Sequence, residues 1–163
     1  MNFVWRDYNS KSMGDIEKWL DDVAIKSTGL EDGFCSFYEY WANEEGFVVG
    51  QNFWCKVIYE NDAPFAFIGF CYHECKVVIM EFVIQPQKRA QGNGSKILKQ
   101  LIEKREFISA PIQRFEAVIF SSNIASKRAF ENAGFKLHHI HADGDALYYV
   151  YENGLNNRII KQL

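Results

Sequence analysis

Proline is scarce, with 3 residues in a chain of 163, and glycine contributes only 11. A collagen-like or linker-rich chain is excluded by those numbers. Long apolar runs are missing too. The longest strongly apolar stretch, Val77 to Ile84, is broken by Glu81 and falls well short of the ~20 residues a spanning helix needs. The N-terminal stretch reaches charge at Arg6 and Asp7 before any apolar segment develops, unlike a secretory leader. Cysteine is sparse: Cys35, Cys55, Cys71 and Cys75 show no disulfide-framework spacing, which fits a reducing compartment. A cytoplasmic protein without a membrane partner is therefore expected. The chain also lacks a basic excess. Its net charge is −3, so no nucleic-acid partner is expected.

What the chain does have is core-forming material. Hydrophobic residues make up 48% and charged residues 24%, ordinary globular usage that excludes a mainly disordered chain. The length suits one domain, spanning 1–163. Aromatics reach 16%, including 14 Phe, enough for a packed core or an aromatic-lined pocket. Charge is unevenly placed. Residues 1–60 carry 11 acidic against 5 basic side chains, whereas residues 86–105 carry six basic side chains against Glu103 alone. Two solvated faces would account for this, and so would separate sites for a cationic and an anionic ligand.

Periodicity organises the chain. Ile16, Trp19, Leu20 and Val23 recur at helical spacing over 15–25, and a second short helix is expected in the aromatic segment Phe34–Trp41. Three β-rich runs follow, Phe53–Tyr59, Phe65–Tyr72 and Lys76–Gln85, separated by short turn signals. They predict an antiparallel meander, its apolar third strand central and buried on both faces. Next come a helix over Ser95–Arg105 with its apolar stripe, a strand over Arg114–Phe120, and a helix over Ile124–Ala133 stopped by Gly134. Two closing strands, Phe135–His141 and Ala146–Tyr151, flank Asp143-Gly144. The order predicts an α+β fold, with a central mixed, mostly antiparallel sheet and helices on both faces.

One segment carries chemistry. From Glu81 to Ser95 the sequence reads as a buried strand, a turn at Pro86, a loop bearing Gly92 and Gly94, and a helix start. Glycines allow close approach of a ligand, while the free amides and dipole of a helix N-terminus favour an anion. This is a recipe for a phosphate or pyrophosphate site. It is neither a P-loop, since Gly94-Ser95-Lys96 has the wrong order, nor a dinucleotide fingerprint, since Ile97 stands where a small residue belongs. An ordinary glycine turn would also produce a Gly-x-Gly. Cys71-x-His73-x-Cys75 alternates on one strand face but has no suitably spaced fourth ligand, so no metal is expected.

The stretch Val83 to Gly94, with Arg89-Ala90-Gln91-Gly92-Asn93-Gly94 at its end, resembles the acetyl-CoA signature of the GNAT-type N-acetyltransferases. A second segment, Asn123-Ile124-Ala125-Ser126-Lys127-Arg128-Ala129-Phe130-Glu131-Asn132-Ala133-Gly134-Phe135, is similar to that family's following helix. The two cover 25 of the 163 residues. The resemblance implies a splayed strand pair, with acetyl-CoA as co-substrate alongside it. Phe82, Val83 and Ile84 would pair with the pantetheine arm. The amides of Arg89, Ala90, Gln91, Gly92, Asn93, Gly94 and Ser95 would hold the pyrophosphate, and Asn123, Ser126 and Lys127 would contact the rest. Asn123 could equally be a helix cap, and Lys127 a solvated lysine.

The implied reaction moves an acetyl group to a primary amine by direct attack through a tetrahedral intermediate. The amine must be neutral, although a free alkyl ammonium has a pKa of about 10, so a base is needed. Glu81 is the first candidate, being the one charge in an otherwise apolar strand; a salt-bridged structural role is the alternative. Glu116 is the second candidate and is expected to face solvent. Phe130 stands where many family members have the tyrosine that protonates the departing thiolate. Tyr148, with Tyr149 and Tyr151 nearby, could replace it; otherwise the thiolate leaves unprotonated or the chain is a non-catalytic CoA-binding module.

In the family, the N-terminal helices and the last hairpin shape the acceptor site, where His138, His139 and His141 could line the pocket. Here these regions supply Glu31, Asp32, Glu39, Glu44, Glu45, Asp143 and Asp145 among aromatics. That surface suits a small cationic amine, aminoglycoside-like or polyamine-like, with a peptide amine (protein N-terminus or lysine) as the alternative. A homodimer is a further expectation.

Overall fold

The apolar runs of the chain's middle form three consecutive antiparallel strands, as their period predicts. In the computed structural model, which describes residues 3–104 and 107–154, these are β2 (Phe53–Glu60), β3 (Ala63–His73) and β4 (Lys76–Ile84). They belong to a seven-stranded sheet completed by β1 (Phe3–Asp7), β5 (Arg114–Phe120), β6 (Lys136–Ile140) and β7 (Ala146–Glu152), in the order β1-β2-β3-β4-β5-β7-β6. Every neighbouring pair is antiparallel except β4 and β5, which run parallel.

Helices cover both faces. On one side α3 (Asn93–Glu103) and α4 (Ile124–Asn132) bury Ile97, Leu98, Leu101 and Phe130 against Ile68, Phe70, Phe115 and Tyr149. On the other, a 3-10 turn (Gly14–Trp19) and α2 (Gly33–Asn43) bury Trp19 and Phe34 against Phe53, Phe67 and Val83. Large side chains of this kind each contribute roughly 1.5–3 kcal/mol on full burial. None of the described helices is long and apolar enough to cross a membrane.

Three expectations need correction. The helix over 15–25 is two elements: the 3-10 turn ends at Leu20, and α1 (Asp22–Thr28) begins afresh. Asp21 separates them because its carboxylate accepts from the Ala24 amide at 2.9 Å and caps α1. The strand buried on both faces is β3, sealed from Phe65 to Cys71, whereas β4 is only partly covered because one edge opens into a cavity. The edge strand β1 has no counterpart in the sequence reading; its Val4 and Arg6 are exposed, which leaves almost no alternation to detect. The end of α3 stops at Glu103, and Arg105 of the expected helix lies outside the described residues.

Candidate active site

β4 and β5 part company halfway. Their pairing runs only from Lys76–Arg114 to Ile79–Ala117, and β5 continues to Phe120 without β4 beside it. The separation starts at a bulge. Ile79 pairs with Phe70 and Glu81 with Gly69, leaving Met80 as the extra residue. Such a bulge bends the strand and re-aims its side chains. From Met80 to Ile84 the edge of β4 that would face β5 therefore has no strand to pair with, the splay that the resemblance implies.

Beyond β4 the chain makes a tight turn, with Lys88 N–H donating to Gln85 and Arg89 N–H to Pro86. Ala90 and Gly92 then take positive φ, 58° and 73°, so the turn directs its amides outward into the start of α3. The N–H groups of Ala90 through Ser95 donate to no described group. Those from Asn93 to Ser95 form the positive end of the α3 dipole. The run of unpaired amides therefore begins at Ala90, because the Arg89 amide is spent inside the turn. Gly94 has a packing role: a β-carbon there would lie 3.0 Å from Ala129 Cβ and 3.4 Å from Ile84 Cδ1. Its absence lets α3 approach α4 and β4 closely.

The Arg89 side chain locks this region to α1. Its guanidinium donates to both Asp21 oxygens at 3.0 and 2.8 Å, to Trp19 O at 2.9 Å and to Ile84 O at 2.9 Å. Burial works upward on the Asp21 carboxyl, but the Ala24 amide and Arg89 outweigh it and hold its pKa below the usual range. Asn93 ties the loop from inside, its Nδ2 donating to Lys88 O at 2.9 Å.

Between α1, the end of β4, the turn and α4 lies a cavity of about 380 Å³. Phe82, Val83, Ile84, Arg89, Ala90, Gly92, Asn93, Gly94, Ser95, Asn123 and Ser126 all line it, so most of the predicted cofactor residues are brought together. Gln91 and Lys127 are not. Gln91 turns its amide back to Gln87 O, and Lys127 reaches Ser121 O at 3.4 Å. Arg128, one residue on, lines the cavity instead, as do Val23 and Thr28 of α1. The sequence reading missed these, since α1 was misplaced and a helix turns 100° per residue. Asn123 caps α4 through the Ser126 amide at 3.0 Å and also lines the cavity.

A smaller recess of about 70 Å³ continues into the gap between β4 and β5 and shares Thr28, Phe82, Asn123 and Ser126 with the larger one. Glu81 lines it. Its side chain makes no hydrogen bond or ion pair with any described residue, and burial alone raises its pKa to about 8. The alternative of a salt-bridged Glu81 therefore fails. Glu116 is not solvent-facing: it is 3% exposed, ion-paired to Arg114 Nε at 2.5 Å and accepting from Tyr148 Oη at 2.5 Å. Burial, then this bond to Glu116, pushes the Tyr148 phenol up to about 12.

Tyr148 does not line the gap; it stacks on His139 with ring centroids 4.6 Å apart. Tyr149 donates to Glu131 at 2.7 Å, and Tyr151 packs on Phe135, both on the α3–α4 side. Phe130 does line the gap.

No known family's sequence profile and no curated protein sequence matches the chain. Solved structures do. The aminoglycoside acetyltransferase AAC(6')-Ib, in complex with coenzyme A and kanamycin, superimposes with a TM-score of 0.72 at 14% identity, over 98% of this chain and 99% of that one. A GNAT-family acetyltransferase from Streptococcus pneumoniae gives 0.64 at 16% identity, over 94% and 100%. The chain has the GNAT fold. The ribosomal-protein-S18-alanine N-acetyltransferase from Escherichia coli shares it, with a TM-score of 0.64 at 14% identity over 95% and 98%. In this GNAT scaffold the splayed strands and the amide-lined turn arise from the bulge at Met80 and the positive φ values at Ala90 and Gly92.

Proposed function

We propose that the protein is an acetyl-CoA-dependent N-acetyltransferase acting on a primary amine. The observation that carries this reading is one continuous path. Unpaired amides at Ala90 and from Gly92 to Ser95 open onto a cavity, and that cavity leads along the free edge of β4 to a half-buried, unpartnered carboxyl at Glu81. The amides and dipole suit the diphosphate of acetyl-CoA, with Arg128 and Lys88 adding charge at the cavity wall. The unpaired edge of Phe82–Ile84 suits the amide-bearing pantetheine arm, and an arm lying along it would bring the thioester to the gap. A backbone N–H of that edge can then polarise the carbonyl. Glu81 supplies the base that an amine nucleophile requires.

The acceptor we propose is a small cationic amine, aminoglycoside-like or polyamine-like. Glu31, Asp32, Glu39, Glu44 and Glu45 are all exposed on or beside α2, which gives this side a field that attracts cations. A neighbour of the same fold binds kanamycin together with coenzyme A. A peptide amine is the second reading, supported by the S18-alanine acetyltransferase among the neighbours.

The test is steady-state thiol release from acetyl-CoA with a panel of polyamines, aminoglycosides and peptides. Turnover that is at least tenfold faster with the small polycations is expected. CoA binding without release for any amine would leave a binding module instead.

A further inference from the structure

The acetyl-transfer reading leaves one proton without a donor. The departing sulfur must gain a proton as the C–S bond breaks, and Phe130, 3% exposed and edge-on to Phe135 at 4.9 Å, has none to give. Neither Tyr149, which spends its hydroxyl on Glu131, nor Tyr151 lines the gap, and Tyr148 spends its hydroxyl on Glu116 away from it. Thr28, which reaches the gap, donates to Ala24 O at 2.8 Å. Among the described residues Glu81 is the one ionisable side chain lining the gap.

We infer that Glu81 performs both proton transfers of the reaction, taking the proton of the attacking amine and returning it to the departing sulfur. This rests on the proposed function. The balance is closed. The amine nitrogen forms a bond to the acetyl carbon and loses one proton to the Glu81 carboxylate. The C–S bond breaks with its electron pair on sulfur, and Glu81 passes that proton on. The products are an amide and a thiol, and Glu81 ends ionised as it began. An acceptor arriving as an ammonium first yields its extra proton to solvent.

The surroundings suit a shuttle. Glu81 lies opposite Gly69 on the α2 side of the sheet, where Phe37 of α2 and Cys55 of β2 flank that glycine. Burial and then Glu81 raise the proton affinity of Cys55. No cation from these elements pairs with Glu81, so its affinity for a proton, near pH 8, is close to that of a thiol, whose pKa is about 8.5. Transfer in either direction is then nearly level.

The experiment uses a weakly basic primary amine, an aryl hydrazide, that is neutral at assay pH and has no ammonium to deprotonate. With it, Glu81→Gln is expected to lose at least 100-fold in kcat, as with an alkyl amine, while binding CoA like the wild type. Glu81→Asp should recover at least tenfold over Gln. The wild-type rate should rise to a plateau through a midpoint near pH 8. A Glu81→Gln deficit under threefold with the weak amine overturns the shuttle and leaves Glu81 a base for ammonium alone. An equal loss in Tyr148→Phe overturns it as well. Wild-type protein that binds CoA but acetylates no amine overturns the acetyl-transfer reading itself.

Discussion

Phe37 lies over Gly69: a β-carbon at that glycine would stand 2.7 Å from the ring's Cε1. Gly69 is the cross-strand partner of Glu81, and Cys55 Sγ would be 3.6 Å from the same β-carbon. The ring thus occupies the space that a side chain on β3 would fill beside the carboxyl, and it keeps water from it. Phe37→Ala should admit water and lower the Glu81 pKa, because desolvation is what raises it. The rising limb of the rate should move down by about one pH unit. Stability should fall by roughly 2–4 kcal/mol, at the lower end for an aromatic truncation because Phe37 is half-buried. Rate–pH profiles and denaturant unfolding check both.

Stability should register the same carboxyl. Glu81 titrates near pH 8 in the fold against an ordinary 4.5, so between those values the folded state holds a proton that the unfolded state has lost. Its contribution is complete below pH 4.5 and drains away as pH rises through 8. Glu81→Gln carries no such penalty. Relative to wild type it should gain stability progressively across this window, by a few kcal/mol at pH 9, and the difference should vanish at pH 4. Urea unfolding of both proteins at several pH values measures it.

How much of this was legible beforehand depends on distance along the chain. The turn, its glycines and the α4 cap are local, and Gly92, Gly94 and Asn123 carried their signals in the sequence itself. Glu81 stood out because a charge in an apolar strand is conspicuous. What stayed hidden needs partners from afar. Glu116 reads as a solvent-facing residue until Arg114 beside it and Tyr148, 32 residues away, close around it. The Arg89 clamp requires Asp21 at a separation of 68. The bulge at Met80 is a property of pairing with β3 and leaves no mark on β4 alone.

The clamp itself can be probed without disturbing the helix cap. Asp21→Asn keeps an acceptor for the Ala24 amide, since Asn caps about as well as Asp, but removes the charge that holds Arg89. CoA affinity should fall about three- to tenfold as α1 loosens from the turn. Arg89→Ala, which also abandons the Trp19 and Ile84 carbonyls, should lose more. The Asp21 carboxyl is held below its ordinary pKa, so its stabilisation is present above that value and lost as pH falls through the folded one. Asp21→Asn should accordingly flatten the acid limb of stability. Isothermal titration and acid unfolding curves read the two effects.

Phe130→Tyr supplies the missing phenol at its own place. The added hydroxyl enters the gap, where Asn123 and Ser126 are within the same lining. Left unpartnered, it would cost about 1–3 kcal/mol of stability. If Glu81 already shuttles the proton, a second donor adds little to the wild type, and turnover should stay within about twofold. In the Glu81→Gln background the phenol can protonate the sulfur and be restored by the amine's proton. Phe130→Tyr should then raise the residual kcat at least threefold. The two changes act on one proton, so the cycle of single and double variants should show coupling well above the ~0.5 kcal/mol of independent sites. Additive effects would mean that sulfur protonation never passed through Glu81.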